Sequence, residues 1–144
     1  MRISSEEGEE TLGFDAAVLA SGRYLGGGVR RQGSFSEPLA NLPLALGSGR
    51  PIDSNEPIER LVGNAPGDSA PAFELGVAVD WQLHPLDSDG RPVPWLWAAG
   101  SIIAGAERGL AFAMRTGAAA GESAAAHLVA QASVPESPRG GVAA

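Results

Sequence analysis

The chain has 144 residues, a formal net charge of −7 and a pI near 4.7, which suits one ordinary domain with a real core. It holds no cysteine, which excludes disulfides, thiolate zinc sites, iron–sulfur ligation and a cysteine nucleophile within these residues. All ten basic residues are arginine, so a Walker-type lysine, a kinase lysine and a pyridoxal Schiff base are excluded too.

The acidic balance argues against a nucleic-acid partner, since Arg30-Arg31 is the one adjacent basic pair. The opening Met1-Arg2-Ile3-Ser4-Ser5-Glu6-Glu7 is polar and acidic, without the apolar core of a targeting signal. Arg2–Ser4 reads as a strand stub and Glu7-Gly8-Glu9 as a turn. The apolar stretch Pro92–Ala106 contains two prolines and two glycines and is too short to span a bilayer. A soluble, cytoplasmic chain is expected, reaching a membrane only through partner subunits.

Phe14-Asp15-Ala16-Ala17-Val18-Leu19-Ala20 is apolar but for Asp15 and stops at Ser21-Gly22. A short apolar run bounded by turn residues predicts a strand buried on both faces, as in parallel sheets. Residues 23–72 are rich in Gly, Pro, Ser and Asn and read as irregular, with short helices or strands. Phe73–Val79 reads as a strand. Leu86–Val93 contains Asp89-Gly90 and predicts a hairpin. Trp95–Ala99 reads as a second buried strand, ending at Gly100-Ser101.

From Arg108 to about Gln131 the apolar spacing turns helical, with Leu110, Ala113, Met114, Gly117, Ala120, Gly121 and Ala124 on one stripe. Gly117 and Gly121 predict a small-residue groove that packs closely on a neighbouring element. Residues 132–144 read as a disordered tail.

The two strands share one design: an apolar run delivering a small-residue turn. In open α/β sheets ligands bind beyond the carboxyl ends of such strands. A helix beginning near Gly109 would add unpaired N–H donors and a partial positive charge.

These segments resemble a family. Phe14–Gly28 looks like the late strand of FAD-dependent oxidoreductases. Gly76-Val77-Ala78-Val79-Asp80, Leu83-His84-Pro85-Leu86-Asp87 and Trp97-Ala98-Ala99-Gly100-Ser101-Ile102-Ile103-Ala104-Gly105 are similar to the C-terminal part of the anaerobic glycerol-3-phosphate dehydrogenase B subunit. That family belongs with the succinate dehydrogenase/fumarate reductase-like flavoproteins, and the likeness spans roughly residues 14–127. It implies an α/β fold: the C-terminal portion of a Rossmann-like FAD-binding domain with an inserted substrate-domain segment, its first βαβ unit missing. Residues 1–22 would be late cofactor-domain strands, 23–94 the substrate-domain segment, and 95–131 the last strand and helix. Ala20, Ser21 and Gly22 would lie along the FAD, Gly100 and Ser101 near its ribitol and phosphate. Gly109, Leu110 and Ala111 would aim N–H donors at the flavin ring.

The sequence departs from the family in two places. It has no Gly-x-Gly-x-x-Gly turn, and the segment before the last helix lacks the family's Asp and Cys-Gly pair. A flavoprotein fragment, inactive by itself, is therefore one expectation. The alternative is a non-catalytic subunit that completes a flavoprotein site on a partner chain, and an unrelated Gly/Pro-rich domain is a third. Plainer roles are expected elsewhere: a surface Arg23, an exposed turn His84, a solvated His127, core or interface positions for Trp81, Trp95 and Trp97, turn chemistry for Asp87 and Asp89, and no metal site.

Overall fold

The computed structural model describes residues 2–5, 8–11, 13–53, 55–62, 70–107 and 109–133. Among them the architecture is mixed: small two-stranded sheets, parallel and antiparallel, with one long helix. Strands β1 (Arg2–Ser5) and β2 (Gly8–Thr11) form an antiparallel hairpin in which Arg2 faces Thr11 and Ser5 faces Gly8. Gly8 and Glu9, expected in a turn, belong to the second strand.

Strand β3 (Ala17–Leu19) pairs with β8 (Leu96–Ala98), far along the chain, and the pairing is parallel as the apolar runs suggested. Ala17 N–H donates to Trp95 O at 2.9 Å, and Ala99 N–H to Leu19 O at 2.9 Å. All three residues of β8 are buried. β3 is not covered on both sides: Val18 is 42% exposed while Leu19 turns inward. The expectation of full burial fails there because, among the described residues, β3 pairs with β8 alone.

Leu19, Leu96 and Ala98 join the main core with Val29, Leu44, Leu75, Val77 and Ile102. Trp97 and Ala99 instead meet Ala120 and Ala124 of the helix in a second cluster. That helix, α1 (Leu110–Ala132), takes the predicted span. Its packing face shares Ala120 and Ala124 with the expected stripe and departs from it elsewhere. Thr116, Ala120 and Ala124 are buried, whereas Leu110, Met114 and Gly121 are exposed, and a Cβ on Gly117 or Gly121 would meet nothing within 4 Å. Alanine on every side of this helix blurs the 3.6-residue period, so the large apolar residues mislead. Ala132 is still helical; residues 134–144, most of the expected tail, lie outside the described residues.

Between these strands lie short elements. β4 (Arg30–Gln32) and β5 (Ser34–Ser36) turn at Gly33, whose φ is +81°. β6 (Leu44–Ala45) pairs antiparallel with β7 (Gly76–Val77). The strand expected over Phe73–Val79 is cut to those two residues, because Pro71 opens a 3-10 turn through Glu74. Gly76 is required: a Cβ there would collide with Ile102 O. The Leu86–Val93 hairpin forms as read. Asp87 Oδ1 accepts the N–H groups of Asp89 and Arg91 at 2.9 Å each, Gly90 has φ +76°, and Leu86 bridges Pro92. Glu37 is fully buried, its carboxylate accepting the N–H groups of Leu39 (2.8 Å) and Ala40 (2.7 Å); a buried carboxylate needs such partners.

Candidate functional site

Both strands of the parallel pair end in glycines with left-handed backbone, Gly22 at φ +70° and Gly100 at φ +73°. That conformation turns the chain sharply without a Cβ penalty. The two turns emerge side by side. A Cβ built on Gly22 would lie 3.7 Å from Ser101 Oγ. Ala20, Ser21, Gly22, Gly100 and Ser101 are therefore brought to one edge of the sheet.

The tip of β3 is lined by the chain itself. Residues 23–29 fold back over it, with Val29 N–H donating to Arg23 O at 2.9 Å and Gly27 N–H to Tyr24 O at 3.1 Å. A Cβ on Gly26 would collide with Ser21 O, and one on Gly28 with Gly22 O and Ser21 Oγ. This triple glycine thus serves close packing of the loop on its own strand. Ser21 Oγ is buried there without a hydrogen-bond partner, which costs about 1–3 kcal/mol unless a ligand or water supplies one. Arg23, expected at the surface, is half-buried, and its guanidinium donates to Ile103 O at 3.4 Å.

The tip of β8 is latched to the helix. Gly100 N–H donates to Thr116 Oγ1 at 2.8 Å, and that hydroxyl donates to Phe112 O at 2.8 Å. The Gly100 N–H is thus engaged by the helix. Ser101 is exposed. Gly109 (φ +126°), Leu110 and Ala111 form the exposed start of α1, with no side chain capping it. The first turn lies near the β8 tip, since a Cβ on Gly100 would be 3.8 Å from Ala113 Cβ.

Trp97 is 1% exposed, and its indole N–H has no hydrogen-bond partner. It is sandwiched by the two histidines: the ring of His84 lies 4.6 Å from it and that of His127 5.4 Å, edge-on. His84 is half-buried with Nδ1 2.9 Å from Leu96 O, rather than exposed in a turn; His127 is also half-buried. Trp81, expected in a core or interface, is 88% exposed. Among the described residues no cluster of His, Asp or Glu could hold a metal ion, and no helix is long and apolar enough to cross a membrane.

Grooves formed by the described residues include the following three. One of about 580 Å³ is lined by Phe35, Asn41, Ile52, Asp87 and Val93. One of about 700 Å³ follows the outer side of β3, lined by Phe14, Val18, Leu39 and Trp95. The third, about 440 Å³, lies between Trp81 and the helix residues Phe112 and Arg115. None of the three includes the paired glycine tips. All three escaped the sequence reading, which placed Trp81 and Trp95 in a core or interface rather than beside a groove.

For a dinucleotide, the fit is at the rim. Gly22 is packed beside Gly26 and Ser101, Ser21 Oγ is buried without a partner, and Ser101 is exposed. Compared with protein-family models, curated proteins and solved structures, the chain matches none.

Proposed function

We propose that these residues form the late half of the FAD platform of a flavin-dependent oxidoreductase acting on a small substrate of the glycerol 3-phosphate kind. One observation carries the reading: a parallel strand pair, joined by a long excursion, delivers Gly22 and Ser101 to the same edge. That is where ligands sit in open α/β sheets, and here a Rossmann-like domain is the fold it suggests. The bound flavin would accept hydride from the substrate carbon and pass the electrons onward; the protein supplies position and electrostatics.

In this reading Ala20, Ser21 and Gly22 lie along the dinucleotide, with Ser21 Oγ donating to it. Gly100 keeps the β8 tip low enough for close approach, and Ser101 reaches the ribitol or phosphate. The N–H groups of Gly109, Leu110 and Ala111 stabilise negative charge on the ring through the positive end of α1. The outer edge of β3 fits the second form of this proposal, a subunit that completes its site with a partner chain. Phe14, Val18, Leu39 and Trp95 are exposed along that edge, and an unpaired apolar edge invites another strand. Such a chain would sit in the cytoplasm and meet a membrane only through its partners.

The test is a visible spectrum after desalting with excess FAD. The 144-residue chain alone is expected to retain no flavin. Co-expressed with a domain carrying a Gly-x-Gly-x-x-Gly turn and its βαβ unit, it is expected to retain about one equivalent, which Ser101→Trp abolishes by filling the rim. Stoichiometric flavin on the chain alone overturns the shared-cradle form, and retention indifferent to Ser101→Trp overturns the assignment of the rim.

A further inference from the structure

The groove beside Trp81 includes neither glycine tip, although Thr116, which latches Gly100, is one of its walls, and the inference does not depend on the flavoprotein reading. Its walls come from the turn after Val79, the Ile103–Gly105 segment and one face of α1. Trp81, Leu83, Ile103, Gly105, Phe112 and Arg115 shape it, and among the described residues no acidic one lines it. In a chain of net charge −7, a cleft whose one charged wall residue is an arginine is locally reversed in sign. Its volume of about 440 Å³ falls in the range of small-molecule sites, roughly 300–1,000 Å³.

The turn that presents Trp81 is rigidly built. Asp80 Oδ1 accepts the N–H of Gln82 at 2.9 Å and of His84 at 2.8 Å, while Asp80 N–H donates to His84 O at 3.0 Å. Leu83 is held at φ +70°, a conformation costly for a bulky residue. It is locked there by Ala98 N–H donating to Leu83 O at 2.8 Å and by packing against both core clusters. The indole at 88% exposure is thus carried on a braced, strained turn rather than on a slack loop. Across the groove the Arg115 guanidinium lies 5.5 Å from the centre of the Phe112 ring, a cation–π arrangement that restrains it. Among the described residues no carboxylate forms an ion pair with Arg115.

We infer that this groove binds a small aromatic carboxylate, its ring against the Trp81 indole and Phe112 and its carboxylate on Arg115. The aromatic walls select a planar apolar body, the guanidinium selects a planar two-oxygen anion, and the acid-free lining raises no repulsion against it.

Phenylacetate is the probe, read by the three tryptophan indole N–H resonances assigned through single Trp→Phe variants. A saturable shift is expected at Trp81 and none at buried Trp97. Arg115→Gln, followed by the Trp81 resonance, and Trp81→Ala, followed by equilibrium dialysis of phenylacetate because the reporter indole is gone, are each expected to weaken binding about tenfold, the scale of one charge-assisted or aromatic contact. Cyclohexylacetate, with the same charge and no aromatic face, and 2-phenylethanol, with the ring and no charge, should both bind more weakly. Both variants change exposed side chains, and retained helical circular dichroism shows that they fold. The absence of a saturable Trp81 shift overturns the inference, as does binding unaffected by Arg115→Gln. A Trp81 resonance that moves with protein concentration in the absence of probe also overturns it, assigning the groove to a second copy of the chain.

Discussion

Tyr24 shows how one side chain ties the loop over the β3 tip to a distant segment. Its hydroxyl donates to Ala72 O at 2.8 Å, across 48 residues of sequence. Burial of the ring disfavours the phenolate and raises its pKa above the ordinary value, with the neighbouring Arg23 charge pulling weakly the other way. A phenol whose folded pKa is raised holds its proton more tightly in the fold than in the unfolded chain. Its contribution is therefore complete below about pH 10 and is lost as pH rises through the higher folded value. Tyr24 is the sole tyrosine, so phenolate absorbance reports it alone. The expected midpoint lies above that of the urea-unfolded chain, and Tyr24→Phe should remove the extra alkaline destabilisation. The same scale explains which residues the sequence disclosed. Asp87 and Gly90 act through the local backbone, so their turn was legible. His84 and Trp81 exchanged their expected burial, because burial depends on partners far along the chain: Leu96 and Trp97 for the histidine, an open groove for the tryptophan.

At the level of elements, α1 was legible in extent and only in part in orientation, since Ala120 and Ala124 of the expected stripe are buried and its large residues are not. A 23-residue helix without proline declares itself, but its buried face is set by Thr116, Ala120 and Ala124, the small residues that let it approach β8 and Ala99 closely. Thr116 adds a polar latch to that face. Thr116→Val keeps the shape and removes the acceptor for the Gly100 N–H, leaving a backbone donor in a part-buried position. The expected loss is about 1–3 kcal/mol, read as a lower urea midpoint at unchanged slope, and Thr116→Ser should restore most of it. The parallel β3–β8 pair was legible because each strand is a short apolar run closed by Gly; the exposure of Val18 was not, since a neighbour's absence leaves no mark in a strand's own residues. Two-residue pairings such as β6–β7 are too short to leave any period at all.

At the scale of the molecule, the parallel and antiparallel pairs among the described residues are separate ribbons rather than one sheet. The core draws Leu19, Leu44, Leu75, Leu96 and Ile102 from distant parts of the chain. An α/β composition was therefore readable, while the way these segments share one interior was not, because that interior is assembled from contacts far apart in sequence. The candidate site followed the same rule. Its glycine tips were visible as strand-end turns, and the Thr116 latch that engages one of them came from a helix residue with no motif to mark it.

The sparse pairing has a consequence for motion. Ribbons of two to four rungs are marginal unless side chains hold them, so the amides of this protein should not be protected as a cooperative sheet would protect them. Deuterium uptake is expected to be slowest in the middle of α1 and at Trp97–Ala99, and fast at Arg30–Ser36, whose hairpin is largely solvent-facing. Uniform slow exchange across the short ribbons would mean that the interior alone confers global cooperativity. If the gradient is found, the glycine rim lies on the border between the slow and fast regions, anchored to the helix on one side and free to yield on the other.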